Sequence, residues 1–147
     1  RSLIDNFSTV SDEKSIQLIT PFIQSEVLAN VNKQKITRAI ENLLSNAIKF
    51  SNSGGRVKVD LIQEESDLLL KIQDEGIGIP STLQRTVFNK FTKAKRKGTQ
   101  GEATTGLGLF ITKRIVEKHK GKVWFESRQN EGTTFFIRLP LSDFSSF

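Results

Sequence analysis

The segment RVKVDLIQEESDLLLKIQDEG, residues 56–76, restricts the fold more than any other part of the sequence. Two runs rich in β-forming residues, 57–63 and 68–74, flank a polar turn at 64–67, a pattern typical of an antiparallel hairpin. The chain closes with a second pair of this kind, because KVWFES and TTFFIRLPL flank the turn RQNEG. A further strand is expected in SIQLIT, which Pro21 ends. These patterns predict a mostly antiparallel sheet of about five strands.

Three long segments have the apolar spacing of an amphipathic helix. They are residues 1–13, residues 33–50 with Asn32 as the N-cap, and TGLGLFITKRIVEKHKG, which Gly121 caps. A shorter helix is expected after Pro80. About three long helices and five strands with short connections predict a two-layer α/β sandwich, in which the helices cover one face of a mixed sheet.

A polar stripe runs along the predicted helix at 33–50. Asn42, Asn46 and Lys49 fall within about 40° of one another when each residue turns the helix by about 100°. Such a stripe is compatible with the solvated side of an ordinary amphipathic helix. Asparagine, however, is a poorer helix former than Glu, Lys or Gln, so two carboxamides one turn apart suggest that their oxygens bind something.

Two glycine clusters follow, DEGIGIP after a predicted strand and TGLGL before a predicted helix. Each alone is weak evidence, since the first fits a strand-ending turn and the second a permissive helix start. Together they suggest a phosphate site, because backbone amides near Gly106 would begin a helix whose dipole favours an anion. Asp74 would accept from an exocyclic amine or cap its own turn. Neither the P-loop nor the dinucleotide-binding glycine pattern is present.

The chain carries a net charge of +6, and a cluster of cations precedes a polar, glycine-containing segment. We interpret residues 92–105 as a long loop, which in a compact domain is usually a lid or a binding loop. The loop lacks interleaved aromatics, and the chain has no helix-turn-helix or zinc spacing, so nucleic acid is not expected as a partner and remains a less favoured alternative. The cations are Lys90, Lys93, Lys95, Arg96 and Lys97.

Composition excludes several other classes. The chain has no cysteine, which rules out disulfides and thiolate metal sites. Its apolar runs, such as the leucines at 68–70, are too short to cross a bilayer, and direct membrane contact is not expected. Because the chain starts with Arg1 and contains no methionine, we expect it to be a segment of a longer protein.

Four segments, taken together, resemble the sequence boxes of bacterial sensor histidine kinases. NLLSNAIKFS resembles the N box, DEGIGI the first glycine box, VFNKF the F box and TGLGLFITKRIVEKHKG the second glycine box, in the family's order and approximate spacing. The resemblance covers nearly the whole chain. It implies the catalytic ATP-binding domain of that family, with the Bergerat-type sandwich shared with DNA gyrase, mismatch-repair ATPases and heat-shock chaperones. We expect this domain at 1–141, with its ATP lid at 92–105, followed by a disordered tail at 142–147.

The resemblance also implies roles for individual residues. Asn42 and Asn46 would hold Mg²⁺ through their amide oxygens, which suit this hard cation, and Lys49 would contact the phosphates, so that these three carry catalysis. Asp74 would bind the adenine amino group. Thr104 departs from the family, which more often has glycine there. Further residues expected to contact ATP are Phe50, Gly76, Gly78, Ile79, Lys93, Thr105, Gly106, Leu107, Gly108, Leu109 and Thr133.

The activity implied is transfer of the γ-phosphoryl group of Mg-ATP to a histidine on a separate domain. Related hydrolysing ATPases carry a water-activating glutamate where this chain has Asn42, and an amide cannot take a proton near neutral pH, so slow hydrolysis is expected. His119, the sole histidine, lacks the phosphoacceptor context and is expected at the surface. A noncatalytic nucleotide-binding module and an ATP-driven clamp of the same superfamily remain alternatives.

The partners implied are the dimerisation and phosphoacceptor helices of the parent kinase and, by family analogy, a response regulator. The domain is expected to be cytoplasmic, whether or not the parent protein is anchored in a membrane.

Overall fold

The computed structural model describes residues 7–20, 29, 31–90 and 107–141. In these ranges helices and strands follow one another in the order α1-β1-α2-β2-β3-α3-β4-β5. The helices are α1 (Ser8–Glu13), α2 (Lys33–Phe50) and α3 (Gly108–Lys118), and the strands are β1 (Gln17–Ile19), β2 (Arg56–Gln63), β3 (Asp67–Asp74), β4 (Lys122–Arg128) and β5 (Gly132–Pro140).

The strands form one mixed sheet in the order β1-β2-β3-β5-β4. Only the short β1 runs parallel to its neighbour β2, and the other three pairings are antiparallel. Because β5 lies between β3 and β4, the end of β3 adjoins the start of β5, and Asp74 pairs with Thr133. The predicted sandwich with a mostly antiparallel sheet of five strands is confirmed.

The core lies between the sheet and the helices α2 and α3. Alternate residues of each strand face these helices, as the period of two requires, and α2 contributes a continuous buried side. Burying each large apolar side chain stabilises the fold by about 1.5–3 kcal/mol. The most deeply buried large side chains are Leu43, Leu44, Val57, Ile72 and Val116.

The opposite face of the sheet carries aromatic rings and cations. Trp124 and Phe136 stack almost in parallel, with ring centroids 5.0 Å apart and planes at 6°. Lys122 and Arg138 lie over the Trp124 ring at 5.3 and 5.2 Å, and Lys71 lies 5.8 Å from the centre of Phe136. Long cationic stems thus cover apolar surface that no helix of the described ranges covers.

Two local predictions were wrong. The short helix expected after Pro80 is only a three-residue 3-10 helix, Gln84–Thr86. The Gln84 amide donates to the carbonyls of Ile79 and Ser127, and these tertiary bonds hold the segment in a turn instead of an α-helix.

The second wrong prediction concerns the end of α3. Lys120, and not Gly121, takes the left-handed conformation there, with φ of 59°. Gly121 is required for another reason: a Cβ at this position would lie 2.5 Å from the Arg138 carbonyl oxygen. Residues 1–6 of the first predicted helix, the lid at 92–105 and the tail at 142–147 lie outside the described residues.

Candidate functional site

The predicted polar stripe occupies one side of α2. Asn42, Asn46 and Lys49 are half-buried there, whereas the neighbouring Leu43 and Leu44 are fully buried. The helix starts where the sequence predicted, because the Asn32 carboxamide oxygen accepts a hydrogen bond from the Lys35 amide at 3.0 Å. A half-buried stripe differs from a solvated helix face, since its side chains are partly covered by the rest of the fold.

Asn42 joins α2 to the first turn of α3. Its side-chain nitrogen Nδ2 donates to the Gly108 carbonyl at 3.3 Å and to the Thr112 hydroxyl at 3.4 Å. A carbonyl accepts and never donates, so the Asn42 atom that faces Gly108 must be the amide nitrogen. The carboxamide oxygen of Asn42 therefore points away from α3. A Cβ on Gly108 would lie 3.8 Å from Asn42 Cγ, which places the carboxamide directly beside the start of α3.

The C-terminal end of α2 obtains hydrogen-bond partners from outside the helix. The last four carbonyls of a helix have no intrahelical donor. The Ser51 hydroxyl donates to the Ala47 carbonyl. Lys14 is buried, with 5% of the residue exposed, and its ammonium donates to the carbonyls of Ile48 and Lys49 at 3.0 and 2.8 Å. A cation at this end of a helix is also favoured by the helix dipole.

The remaining carbonyl of this helix end binds the first glycine loop. The Ile77 amide donates to the Phe50 carbonyl at 3.0 Å. A Cβ on Gly76 would lie 2.0 Å from that same carbonyl oxygen, so only glycine allows the two backbones to approach. The loop after β3 is thereby fixed against the end of the asparagine-bearing helix.

Asp74 is buried, with 5% of its surface exposed, at the end of β3. Its Oδ1 accepts from the Gly76 amide at 2.9 Å and from the Thr133 amide at 3.2 Å. The carboxylate therefore caps its own turn, which was one of the two roles considered from the sequence. The same bonds hold the side chain in a single orientation between two strands.

The first glycine loop also contacts the end of the hairpin where β4 leads into β5, a contact that the sequence analysis did not predict. The Ile79 amide donates to the Ser127 hydroxyl at 2.8 Å. Gly78 has φ of 67°, and a Cβ there would lie 2.0 Å from the Arg128 carbonyl oxygen. Gly132 approaches the Asp74 carbonyl in the same way, since its Cβ would lie 2.2 Å away. In the sequence, Gly132 only marked a hairpin turn, and Ser127 gave no signal.

Helix α3 begins beside the Asn42 carboxamide. Its N-cap is Leu107, whose side chain cannot accept a hydrogen bond from the first turn. The helix starts at Gly108, and Leu107, Gly108 and Leu109 are half-buried. Amides of a first helical turn have no intrahelical acceptor, and the helix dipole makes their surroundings favourable for an anion. The predicted contacts Lys93, Thr105 and Gly106 lie outside the described residues.

His119, expected at the surface, is half-buried at the end of α3 and has two hydrogen-bond partners. Its Nε2 accepts from the Asn32 amide at 3.0 Å. Its Nδ1 lies 2.8 Å from the Ile115 carbonyl oxygen and is therefore the nitrogen that carries the proton. The imidazole thus joins the end of α3 to the start of α2.

The F-box aromatic Phe88 is a packing residue. Its ring lies 5.8 Å from Phe125 and 6.3 Å from Phe135, both on the helix-facing side of the sheet. The second aromatic of the box, Phe91, lies outside the described residues.

The contacts described above bring together the asparagine stripe, the first glycine loop and the start of α3.

The chain is similar to known proteins in sequence and in structure. The profile of the histidine kinase-, DNA gyrase B- and HSP90-like ATPase family matches residues 31–143. The chain is 34% identical over 143 residues to the sensor histidine kinase WalK of Bacillus subtilis (strain 168), a match that covers 96% of this chain and 23% of WalK. It spans between 15% and 31% of the length of the first curated sensor kinases it matches.

Solved structures show the same similarity. The catalytic domain of the histidine kinase ThkA aligns with a TM-score of 0.82 and 27% sequence identity, covering 96% of this chain and 89% of that one. ThkA in complex with the response regulator protein TrrA aligns with a TM-score of 0.78 and 21% identity over 97% of this chain and 39% of that one, which shows a shared fold. The predicted resemblance is confirmed. The chain belongs to the histidine kinase-, DNA gyrase B- and HSP90-like ATPase family, as an ATP-binding catalytic domain of the sensor histidine kinase type.

Proposed function

We propose that this domain binds Mg-ATP and transfers the γ-phosphoryl group to a histidine on a separate dimerisation and phosphoacceptor domain of its parent protein. One observation carries the proposal: the Asn42 carboxamide is held beside the start of α3 by its bond to the Gly108 carbonyl. Oxygen ligands for a hard cation and helix amides for phosphate then lie next to each other.

The donor set fits magnesium bound together with substrate phosphates. Within the described ranges no group of three or more His, Cys, Asp or Glu side chains could hold a metal ion. Mg²⁺ commonly takes few protein ligands and completes its shell with phosphate oxygens and water, so Asn46 and Asn42 suffice as protein oxygens. The bound ion would neutralise charge on the phosphates.

The remaining predicted contacts have separate roles. Lys49, at the end of α2, would act as a point charge on the phosphates, with Phe50 beside the nucleotide. Asp74, already oriented by two backbone amides, would accept from the adenine amino group. Gly76 and Gly78 would let the base approach the backbone. The further proposed contacts are Ile79, Lys93, Thr105, Gly106, Leu107, Gly108, Leu109 and Thr133.

Transfer to a protein acceptor is favoured over hydrolysis by the chemistry of Asn42. The residue carries no basic group, and its nitrogen already donates to two acceptors on α3. Glu41 lies about 100° around the helix from it and so points in another direction. Catalysis would then depend on positioning and on charge neutralisation, as in other phosphoryl transfers.

Two partners and a location follow. The acceptor would be the dimerisation and phosphoacceptor helices of the parent kinase, and a response regulator would receive the phosphoryl group, by analogy with ThkA and TrrA. We place the domain in the cytoplasm, where ATP is available. Among the described helices, none is long and apolar enough to cross a bilayer.

The test has two stages. Calorimetry with ATP, with and without Mg²⁺, should show uptake that Mg²⁺ strengthens, and Asn46→Ala and Asp74→Asn should each weaken it at least tenfold. Asn52→Ala, at an exposed position beyond the end of α2, is the matched control and should bind as the unaltered domain does.

Labelled ATP is then mixed with the domain and a phosphoacceptor-helix fragment. Acid-labile label on the fragment, together with slow release of inorganic phosphate in its absence, is the expected result. ATP binding without label on the fragment would favour a noncatalytic nucleotide-binding module, and rapid hydrolysis by the domain alone would favour a hydrolysing clamp.

A further inference from the structure

Thr112 is a fully buried polar residue at the contact between α2 and α3, with 0% of its surface exposed. Its hydroxyl oxygen lies 2.9 Å from the Gly108 carbonyl oxygen, 3.5 Å from that of Ala39 and 3.4 Å from Asn42 Nδ2. Ala39 is also 0% exposed, and its small side chain lets the two helices approach closely. A hydroxyl in this position touches both helices at once.

The directions of these bonds follow from the donors available. A hydroxyl has one proton and can donate one hydrogen bond, which the Thr112 hydroxyl donates to the nearer carbonyl, that of Gly108. The Thr112 oxygen is then an acceptor for Asn42 Nδ2, which also donates to the Gly108 carbonyl. Rotating the Asn42 carboxamide by 180° would lose both bonds that Nδ2 donates and bring the Asn42 oxygen against the Gly108 carbonyl oxygen. The Thr112 hydroxyl could donate to the rotated oxygen only by giving up its own bond to Gly108.

We propose that Thr112 is a positioning residue that fixes the Asn42 carboxamide with its oxygen turned toward the nucleotide site. The inference rests on the proposed function, in which that oxygen binds magnesium. Thr112 touches neither nucleotide nor metal and acts through Asn42 alone. Without the Thr112 hydroxyl, the Asn42 carboxamide is held only by its 3.3 Å bond to the Gly108 carbonyl. The rotated orientation is then populated more often, and it presents an NH₂ group to the cation.

A purely structural role predicts a different outcome. Threonine hydroxyls in helices often bond the carbonyl four residues earlier, as Thr112 does with Gly108. If that bond were its whole role, replacing Thr112 would change stability and leave the magnesium dependence of nucleotide binding unaltered. Magnesium dependence therefore separates the two roles.

The experiment compares Thr112→Val with Thr112→Ser, which removes the methyl group and keeps the hydroxyl. ATP affinity is measured in EDTA and again across a Mg²⁺ titration, and melting temperatures are recorded alongside. We expect Thr112→Val to bind Mg-free ATP within twofold of the unaltered domain but to need about 3- to 10-fold more Mg²⁺, the effect of one lost hydrogen bond. Thr112→Ser should need the same Mg²⁺ concentration as the unaltered domain. In a domain that already carries Asn42→Ala, Thr112→Val should not raise the Mg²⁺ requirement further.

An unchanged Mg²⁺ requirement in Thr112→Val, while Asn42→Ala raises it, overturns the proposal and leaves the proposed function intact. A Thr112→Ser variant that needs as much Mg²⁺ as Thr112→Val also overturns the proposal. If the unaltered domain gains no ATP affinity from Mg²⁺, the proposed function fails and this inference fails with it.

A second measurement needs no variant. In nuclear magnetic resonance spectra of the unaltered domain, the Asn42 side-chain amide protons should show Overhauser contacts to Thr112, and their absence would contradict the inference.

Discussion

The C-terminal end of α2 and the start of α3 both belong to the candidate site but differ in how their backbone groups are satisfied. Each of the last four carbonyls of α2 accepts a hydrogen bond from outside the helix, from Ser51, from Lys14 or from Ile77. Helix α3 instead starts behind Leu107, which offers its first turn no side-chain acceptor. The fold supplies hydrogen-bond donors for the carbonyls at the end of α2, and the start of α3 is suited to binding an anionic ligand.

This difference separates scaffold from binding surface. A saturated helix end contributes stability, because each of its bonds would leave a buried carbonyl unsatisfied if broken. We propose that the start of α3 contributes affinity instead, because phosphate oxygens can accept from the amides of a first helical turn. Substitutions at the end of α2 should therefore lower stability, whereas substitutions at the start of α3 should lower ATP affinity.

The largest effect is expected at Gly76. In Gly76→Ala the new Cβ would meet the Phe50 carbonyl oxygen at 2.0 Å, and backbone would have to move. We expect a loss of about 3 kcal/mol or more in the free energy of unfolding, measured by urea titration. Gly54→Ala is the control: Gly54 has φ of 83° and open space around it, so only backbone strain of about 1 kcal/mol is expected. Equal losses in the two variants would contradict the proposed saturation of this helix end.

Lys14→Met should have the next largest effect. The substitution keeps the apolar stem and removes the ammonium that donates hydrogen bonds to the carbonyls of Ile48 and Lys49. The expected loss is about 2–3 kcal/mol in the free energy of unfolding, the range for hydrogen bonds to a buried charged group. Lys118→Met, at an exposed position in the last turn of α3, should change it by less than about 0.5 kcal/mol. A Lys14 variant no less stable than the Lys118 variant would show that the cap is dispensable.

Asn32→Ala tests the other end of α2 and should cost about 1 kcal/mol, because it removes the side-chain acceptor for the Lys35 amide. The backbone amide of residue 32 remains to donate to His119, so the loss should stay near that of an ordinary N-cap. Asn32→Asp keeps an acceptor and is the matched control. Thermal unfolding followed by circular dichroism measures both, and equal melting temperatures for the two variants would contradict a capping role.

The smallest effect on stability is expected at the start of α3. In Gly108→Ala the new Cβ would make an ordinary contact with Asn42 at 3.8 Å, and alanine favours helix by up to about 1 kcal/mol. We expect unchanged or slightly higher stability but at least fivefold weaker ATP binding by calorimetry, since the methyl group occupies space a phosphate would approach. Full ATP affinity in this variant would mean that phosphate does not approach the helix there.

The sequence predicted those features whose cause is local. Hairpin alternation at 56–76 identified β2, β3 and their antiparallel pairing, and Asn32 marked the start of α2. The carboxamide stripe was visible because helical spacing alone places Asn42 and Asn46 on one side.

Features that depend on distant partners were not predictable in this way. Lys14 gave no signal, because the carbonyls it serves lie 34 and 35 residues away in the chain. Ser127 and Gly132 contribute through close approach of the β4–β5 turn to the loop after β3, which appears only once the strand order is known. Gly121 was assigned to the wrong role for the same reason, since its constraint comes from Arg138 on β5.

The position of Trp124 has a practical consequence. It is the sole tryptophan of the chain, and it stacks on Phe136 on the face of the sheet that α2 and α3 leave uncovered. Its fluorescence should respond when the sheet unravels and stay constant when nucleotide enters on the helical side. Intrinsic emission is thus a clean optical readout of denaturation in this domain, and an extrinsic dye is needed to follow ligand uptake.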